Sequence, residues 1–395
     1  MDIKKQIQAL AKKNYKKIVE IRRHIHRNPE LSFNEFQTSK YIQSVLKEFK
    51  IKYKSGIAKN GITALIKGNK TQNKTIALRA DFDALPIQEE NNVSYKSKNK
   101  GIMHACGHDV HTASMLGAGI ILNQLSDYLK YNVKLIFQPA EEKIPGGAQQ
   151  MIKEGVLKDP TVNVILGQHV YPELKVGEVG FKSGLYMASA DEIFIKVIGK
   201  GGHAAIPHKA IDPILISSHL IIALQQLVSR NKQPDIPTVL SFGKIIGNGY
   251  NNVIPNEVTL EGTFRTMNEE WRRKAHKIIK QISNNLTKSM GAECEIVITK
   301  GYPCLINNEK TTQKAIKLAT EYLGPNKVKK LEIRMTAEDF AYYTKKVPSC
   351  FYRLGTSNEK KGIIHGLHTS RFNVDEKSIE IGMGLMAFIA INQTQ

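Results

Sequence analysis

The chain has 395 residues, 41% hydrophobic and 24% charged, which is typical of a folded protein with one large core or several domain cores and excludes long disorder. Its formal net charge of +21 would suit a nucleic-acid or membrane partner. The lysines, however, are spread over every region, and no basic run is interleaved with base-stacking aromatic residues, which argues against nucleic-acid binding.

The first ~50 residues alternate basic and apolar positions at helical spacing, and Pro29 ends this pattern. Short apolar runs follow, and each of them predicts a strand. Strands that alternate with helices are typical of an α/β fold with parallel strands. The predicted strands cover 62–66, 75–78, 133–137 and 162–166, and the predicted helices between them cover 111–125 and 148–155.

After Gly184 the apolar runs become longer and alternate with polar residues, which predicts amphipathic strands. Two helices against a few such strands predict an α+β sandwich, which has the size of a separate domain. The strands are predicted at 192–198, 238–246, 258–266 and 293–299, and the helices at 211–229 and 269–290. From about Lys300 the α/β pattern resumes, with helices at 309–323 and 376–391 and a strand at 349–354.

This order of patterns predicts one α/β catalytic domain with a mostly parallel central sheet, interrupted by an inserted domain. We assign residues 1–185 and 299–395 to the catalytic domain and residues 186–298 to the inserted domain. The four cysteines are too few for a disulfide framework, and the chain shows no secretory segment, so we expect a reducing cytoplasm. No apolar run approaches the ~20 residues that span a bilayer, so a membrane protein is not expected.

Acids and imidazoles follow three of the predicted strands at the point where each strand ends. Functional residues of open α/β sheets lie beyond the carboxyl ends of the strands, so we expect these side chains to meet at one edge of the sheet. They are Asp81, the pair Glu141 and Glu142, and His169, and a loop before a predicted helix adds Cys106 and His108.

This set contains the groups that a two-metal hydrolase requires. Such an enzyme needs anionic and imidazole ligands and a carboxylate that is not a ligand and can take a proton from water. One member of the pair Glu141 and Glu142 can bind metal while its neighbour acts as the base. Two metals about 3.5–4 Å apart would need about five ligands, one of them bridging. Taken singly, each feature has a simpler explanation, such as a surface acidic pair or a buried apolar cysteine.

The sequence also resembles a known family, the amidohydrolases that include hippurate hydrolases, N-acyl-amino-acid and auxin-conjugate amidohydrolases and N-acetyldiaminopimelate deacetylases. This group is a branch of the aminoacylase and acetylornithine deacetylase superfamily of metallopeptidases. The resemblance implies a zinc-peptidase-like α/β domain with an inserted lid or dimerisation domain. Its motifs are RRHIHRNPELSFNE (22–35), LRADFDALPI (78–87), MHACGHDVHTASMLGA (103–118), FQPAEE (137–142), GQHV (167–170), GKGGHAAIPH (199–208), NNVIPNEVTLEGTFRT (251–266), MTAEDFAYY (335–343) and LHTSRFNVDE (367–376).

The resemblance implies a role for each motif residue of the metal centre. Glu141 would be the general acid/base, and the thiolate of Cys106 would bridge the metals. The metal ligands would be Cys106, His108, Glu142, His169 and His368. His365 competes with His368 for the last position, and the match of LHTSRF to the family pattern favours His368.

The wider superfamily has a His-x-Asp motif at the end of its first strand, whereas this chain has Arg79, Ala80 and Asp81. The ligand role is therefore lost at Arg79, and His108 is its natural replacement. Asp81 is expected either to orient a metal ligand without binding the metal itself, or to cap a helix. Two histidines that flank the metal loop, His104 and His111, are expected to pack or to form supporting hydrogen bonds.

In the inserted domain, His203 resembles the histidine that stabilises the oxyanion of the tetrahedral intermediate, in its own or in a partner's active site. A Gly-Gly-His run alone would only indicate a turn. Asn252 and Arg265 are expected to bind the substrate carbonyl and carboxylate, although either could satisfy surface or sheet-edge groups instead.

The predicted function is hydrolysis of an N-acyl amino acid, hippurate-like or N-acetyl, by a water that two metals and Glu141 activate. The alternatives are an N-acetyldiaminopimelate deacetylase, a small-peptide carboxypeptidase or dipeptidase, and an inactive ligand-binding relative. The ligand set suits zinc or manganese and tolerates cobalt or nickel. The resemblance implies a homodimer through the inserted domain.

Overall fold

The computed structural model describes residues 2–68 and 74–393. They form two compact units. The first unit comprises the chain up to Gly184, Ile306–Glu332 and the chain from Asp339 onward, and the second unit comprises Leu185–Leu305 and Ile333–Glu338. Thus the second unit extends beyond the predicted 186–298 at residues 299–305 and also takes in the separate segment Ile333–Glu338.

The helices and strands follow the sequence patterns closely. The helices are α1 (Ile3–Arg27), α2 (Phe36–Glu48), α3 (His108–Gln124), α4 (Gly147–Lys153), α5 (Pro213–Gln226), α6 (Glu269–Ser289), α7 (Glu309–Leu323), α8 (Ala341–Thr344) and α9 (Lys377–Asn392). The strands are β1 (Tyr53–Ile57), β2 (Gly61–Ile66), β3 (Thr75–Asp81), β4 (Asn132–Gln138), β5 (Val164–Lys175), β6 (Val179–Phe181), β7 (Gly184–Met187), β8 (Ser189–Ile198), β9 (Gly202–His203), β10 (Thr238–Ile246), β11 (Val253–Ile254), β12 (Glu257–Thr266), β13 (Glu293–Lys300), β14 (Leu305–Asn307), β15 (Val328–Lys330) and β16 (Ser349–Ser357).

The first unit is built on an eight-stranded sheet in the order β1-β2-β4-β3-β5-β16-β6-β15. Its centre is parallel, because β3 pairs in parallel with both β4 and β5, and β5 pairs in parallel with β16. All seven residues of β3 are buried, as expected for a parallel strand covered on both faces.

Helices α1, α3 and α9 of the first unit pack against one another. Helix α3 is buried at nearly every position, which explains why its sequence is apolar all round. At Gly117 a Cβ atom would meet the Met383 sulfur at 2.5 Å, so a glycine permits the close approach of α3 and α9.

The second unit is an antiparallel sheet in the order β10-β12-β8-β13, with α5 and α6 packed on it around one apolar core. Ile333–Glu338 belongs to this unit because the amide of Ala188 donates to the carbonyls of both Arg334 and Thr336, at 3.1 Å each. The parallel central sheet and this α+β sandwich confirm the predicted fold class. Among the helices of the described chain, none combines the length and apolar character needed to cross a membrane.

Candidate metal centre

The carboxyl ends of three neighbouring parallel strands position the candidate site in the first unit. Strand β3 ends at Asp81, β4 ends three residues before Glu141, and β5 carries His169. Helix α3 begins at His108, and Cys106 lies in the turn just before it. The chemistry-bearing residues therefore meet at one sheet edge, where the topology of an open α/β sheet leaves a crevice.

Gly107 allows the turn before α3 to approach β5. Its φ is +81°, a left-handed conformation that glycine adopts without strain. A Cβ atom at this position would also meet the Val170 Cγ2 atom at 2.5 Å. A side chain here would force apart Gly107 and Val170, which lie next to Cys106, His108 and His169 in the chain, so the glycine belongs to the construction of the site.

Five potential metal donors form two triplets that share one thiol. In each triplet, the donor atoms lie within 4.8 Å of one another. The first triplet is Cys106, His108 and His169, and the second is Cys106, Glu142 and His368. This arrangement brings together all five ligands predicted from the sequence and gives Cys106 the position of a bridge. That these residues bind metal remains a prediction.

Two buried atoms of this cluster show that it suits a cation. His108 Nε2 and Glu142 Oε1 lie 3.7 Å apart, and neither atom has a hydrogen-bonding partner among the described residues. Buried polar atoms are rarely left without a partner, because their desolvation costs free energy. The thiol, imidazole and carboxylate donors are the ligand types that zinc and related divalent metals take.

Hydrogen bonds determine which ring nitrogen of each buried histidine is left to bind a metal. His108 Nδ1 lies 3.0 Å from Asp83 Oδ1, and His169 Nδ1 lies 2.7 Å from the carbonyl oxygen of Val170. Each Nδ1–H is thus engaged, which leaves Nε2 as the nitrogen that can bind a metal once it is deprotonated. His169 Nε2 lies 3.5 Å from the Cys106 sulfur. Such outer partners orient metal ligands and increase their basicity.

Burial and neighbouring charges set the protonation of the ligands in the metal-free protein. Burial, reinforced by the carboxylates of Glu142 and Glu141, raises the pKa of the Cys106 thiol well above its usual value. Burial would lower the pKa of His108, but the nearby carboxylates, above all Asp81, outweigh it and raise this pKa to about 10. Burial lowers the pKa of His169, which keeps this ligand neutral.

Glu141 belongs to neither of the two triplets that share Cys106, although it forms a further group of possible donors with His108 and Glu142. One of its carboxylate oxygens is within 4.8 Å of the donor atoms of His108 and Glu142. The side chain is buried, and Oε1 accepts a hydrogen bond from the Asp339 amide at 3.4 Å. A carboxylate in this position can exchange a proton with a group bound at the cluster.

Comparisons with known proteins identify the family. Residues 77–392 match the model of peptidase family M20/M25/M40. The chain belongs to this family. An N-acetyl-L-cysteine deacetylase of Bacillus subtilis is 40% identical over 368 residues, covering 92% of this chain and 85% of the relative. Thermostable carboxypeptidase 2 of Saccharolobus solfataricus is 39% identical over 377 residues, covering 95% of this chain and 94% of the relative.

A solved structure extends the likeness to three dimensions. The Bacillus subtilis YXEP protein, a dinuclear metal-binding peptidase of the M20 family, superposes with a TM-score of 0.80 at 34% identity, covering 96% of this chain and 98% of that chain. The family resemblance predicted from the motifs is thereby confirmed. This M20 protein is a metal-dependent amidohydrolase.

Arg79 of this M20 enzyme is a buried cation on β3, and its hydrogen bonds hold the end of that strand in place. Its guanidinium donates to Asp81 Oδ2 and Asp339 Oδ1 at 2.6 Å each, and to Gln138 Oε1 at 2.9 Å. Asp81 Oδ1 lies 2.5 Å from His111 Nδ1. Although burial opposes ionisation, Arg79 and the imidazoles hold the pKa of Asp81 well below its usual range. The Asp81 carboxylate therefore contacts Arg79 and His111, and the N-cap of helix α3 is Gly107 instead. That Asp81 supports the metal ligands remains a prediction.

The remaining histidines of the first unit differ in their contacts. His368 Nε2 lies 3.4 Å from Glu142 Oε1, whereas His365 is exposed and belongs to neither donor triplet. His111 accepts a hydrogen bond from the Val170 amide at 2.9 Å. His104 is buried, and neither of its ring nitrogens has a hydrogen-bonding partner within the described chain, so it forms none of the supporting hydrogen bonds that were the alternative to packing.

The other predicted residues of the M20 enzyme lie in the second unit. His203 is exposed on β9, and its Nδ1 accepts from the Ala205 amide at 3.1 Å, which leaves Nε2–H as a donor. Asn252 is exposed, and its backbone carbonyl oxygen accepts a hydrogen bond from the Ala204 amide. Arg265 donates to the Met335 carbonyl at 3.4 Å, and burial lowers its pKa. The roles of these three residues remain predictions.

The sequence reasoning missed Asp83, which supports His108. The signal that could have found it is the motif 81–83, Asp-Phe-Asp, in which two carboxylates follow the same buried strand.

Proposed function

We propose that this M20 enzyme hydrolyses the amide bond of N-acyl-L-amino acids, with N-acetyl or hippurate-like substrates. The observation that supports this proposal most is the pair of donor triplets sharing Cys106, with the carboxylate of Glu141 beside them. The relative named N-acetyl-L-cysteine deacetylase, 40% identical over most of both chains, supports the substrate class.

In this proposal the two triplets hold two divalent metals, zinc or manganese. When bound, the metals polarise the scissile carbonyl and lower the pKa of the attacking water. Cys106 belongs to both triplets, and a hydrogen bond with Asp83 keeps the imidazole of His108 oriented for metal binding. Glu141 takes a proton from the attacking water and delivers it to the leaving amine, which departs poorly as an anion.

His203, Asn252 and Arg265 complete the proposal as substrate-binding groups. Because Nδ1 accepts from the Ala205 amide, the Nε2–H of His203 can donate to the developing oxyanion. The guanidinium of Arg265 has the planar fork that suits a substrate carboxylate.

A carboxypeptidase acting on small peptides is the second candidate. The support for it is thermostable carboxypeptidase 2, which is 39% identical across nearly the full length of both chains. Both activities cleave a linear amide and release an amine, so the same site chemistry serves either one. They differ in the acyl side of the substrate, which is an acetyl or benzoyl group in one case and a peptide in the other.

The deciding experiment combines metal analysis with a substrate panel. The purified protein is analysed for metal and assayed, with zinc or manganese added, on N-acetyl-L-amino acids including N-acetyl-L-cysteine, on N-benzoylglycine and on dipeptides with and without an N-terminal blocking group. The proposal expects N-acetyl or N-benzoyl amino acids to have the highest kcat/KM, and a chelator to abolish the activity. Preferential cleavage of the peptides would establish the second candidate, and absence of hydrolysis across the panel would reject both.

We also infer a homodimer that forms through the second unit. Apolar side chains are exposed on its helix α5, where Leu215 is 52% and Ile222 is 72% accessible, and on its outer strand β10, where Ile245 is 55% accessible. A second copy of this chain would cover them, since exposed apolar patches mark interfaces. A cytoplasmic location is part of the same proposal, because all four cysteines are free and Cys106 must stay reduced to bind metal.

A further inference from the structure

Glu35 is a fully buried carboxylate that faces the loop carrying Glu141. Its Oε1 accepts hydrogen bonds from the amides of Ala140 at 2.8 Å and of Phe33 at 2.9 Å. Its Oε2 accepts from Asn60 Nδ2 at 2.9 Å. Although Glu35 directly precedes α2, its side chain does not cap that helix. The side chain is directed instead to the backbone just before Glu141.

Asp83 holds the same loop from the other side of Glu141. Its Oδ2 accepts from the Glu142 amide at 2.9 Å and from the Ser32 hydroxyl at 2.7 Å. The amides before and after Glu141 are thus each bonded to a buried carboxylate. Ser32 lies only three residues before Glu35, so a single short segment, 32–35, reaches both carboxylate contacts.

The loop needs such support because its backbone is unusual. Ala140 has a φ of +55°, a left-handed conformation that residues with a Cβ atom adopt rarely and that surrounding contacts must maintain. Hydrogen bonds from amides to a carboxylate are stronger than those to a neutral acceptor. Burial, together with the charge of Asp83, raises the pKa of Glu35 to about 7, so packing holds these two acids close together against an electrostatic cost.

We propose that Glu35 is a positioning residue for the general acid/base. Through the Ala140 amide it fixes one end of the loop, Asp83 fixes the other end at the Glu142 amide, and the two contacts together set the direction of the Glu141 carboxylate. This inference rests on the proposed role of Glu141. It gives the motif 22–35, which contains none of the predicted metal ligands, a role in positioning Glu141.

The test compares two identical substitutions in one segment, Glu35→Asp and Glu30→Asp. Glu30 accepts hydrogen bonds from the amides of Gln37 and Thr38 and from the Thr38 hydroxyl, all at the start of α2. Shortening Glu35 should lower kcat by roughly 10- to 100-fold, because a displacement of about 1 Å at a catalytic group costs up to that factor. KM and metal content should stay at wild-type values, and Glu30→Asp should keep kcat within about twofold of wild type.

A double mutant separates positioning from a merely structural role. If Glu35 acts through Glu141, then Glu35→Asp added to Glu141→Gln should cause no further fall in the residual kcat, because coupled residues are not additive. A structural role would reduce kcat by the same factor in both backgrounds. All rates are measured on the N-acyl amino acid of the panel with the highest kcat/KM.

Asn60→Ala provides a milder second variant in case Glu35→Asp does not fold. It removes only the side-chain amide that donates to Glu35 Oε2 and should lower kcat by about three- to tenfold, the scale of one hydrogen bond, and only when Glu141 is present.

The outcomes distinguish the two proposals. Wild-type kcat in Glu141→Gln with metal retained would reject the proposed function. A strong loss in Glu141→Gln combined with wild-type kcat in folded Glu35→Asp, or with equal losses in both backgrounds, would reject the positioning role alone.

Discussion

Asp83 accepts a hydrogen bond from the Nδ1 atom of His108 at 3.0 Å, and this contact determines the coordination chemistry of the imidazole. With Nδ1–H engaged, Nε2 is the nitrogen left to bind a metal, and it has no hydrogen-bonding partner in the described part of the chain. Carboxylates in this position hold the tautomer and the ring orientation of metal-binding histidines.

Replacing this carboxylate should therefore weaken metal binding. We expect Asp83→Asn to lower metal affinity by about 10- to 100-fold, the usual effect of losing an outer-shell partner. Competition with a chromophoric chelator measures this change. Asp375→Asn is the control, since Asp375 is also buried but bonds to Asn358 and Lys361 instead of a metal ligand. Equal affinities in the two variants would contradict the role given to Asp83.

Metal binding should depend steeply on pH. In the metal-free protein, burial and the neighbouring glutamates raise the pKa of Cys106 well above its usual value, and carboxylates raise the pKa of His108 to about 10 despite burial. Both groups are then protonated at neutral pH, and a metal must displace both protons. Apparent affinity should thus rise with pH, by up to about 100-fold per pH unit between pH 6 and 8. Affinity independent of pH, after correction for protonation of the competing chelator, would refute this assignment.

Glu141→Gln should separate metal binding from turnover. The substitution keeps the shape of the side chain but removes its ability to accept a proton, so we expect kcat to fall by about 100-fold or more. Metal content should remain at the wild-type level, because the proposed ligands are the members of the two triplets that share Cys106, and Glu141 is in neither. Metal analysis and steady-state kinetics on the same preparation test both statements. Loss of metal without loss of rate would reject this division of roles between Glu141 and Glu142.

The sequence predicted the strands and their ends well, because these follow from local patterns. Buried apolar runs marked β3, β4 and β5, and the rule that parallel strands end at one edge brought Glu141 and His169 together in advance. The position of His368 could not be derived in this way. It lies on a loop with a φ of +59°, and only its motif indicated a role.

The supporting contacts were not predictable, because they join distant parts of the chain. Glu35 bonds to Ala140, which is 105 positions away, and Asp83 bonds to the Glu142 amide 59 positions away. No local periodicity encodes such pairs. Similarly, Ile333–Glu338 joins the second unit through backbone hydrogen bonds to Ala188, which a local pattern does not reveal.

The proposed homodimer can be tested at Ile222, whose side chain is 72% accessible on α5. A charge placed there would be buried without a partner on association, so Ile222→Glu should convert a dimer into a monomer in sedimentation or light scattering. Ile364→Glu is the control, because Ile364 is 62% accessible in the first unit. A wild-type monomer, or dimers that persist in Ile222→Glu, would overturn the proposed interface.

The second unit contains a buried ion pair whose loss can be followed by fluorescence. Asp191 accepts from Arg272 Nε at 2.9 Å, from the Gly301 amide at 3.1 Å and from His276 Nε2 at 2.6 Å. Although burial opposes ionisation, these hydrogen bonds, led by Arg272, hold the pKa of Asp191 below its usual value. Its contribution to stability is therefore present above about pH 4 and lost as pH falls through the lowered pKa.

Asp191→Asn should destabilise this unit by up to about 3–5 kcal/mol, because it removes the fully buried counter-charge of the Arg272 guanidinium and leaves only the partly exposed Glu269 at 3.2 Å. Trp271 is the only tryptophan of the chain and lies in the core of the same unit, so its fluorescence during urea unfolding reports on that unit. Glu261→Gln is the control, since its ion pair with Lys244 is exposed and should contribute less than about 1 kcal/mol. Metal content should be unchanged in both variants, because the donors lie in the first unit. Equal midpoints for the two variants would show that Asp191 does not stabilise the second unit through this pair.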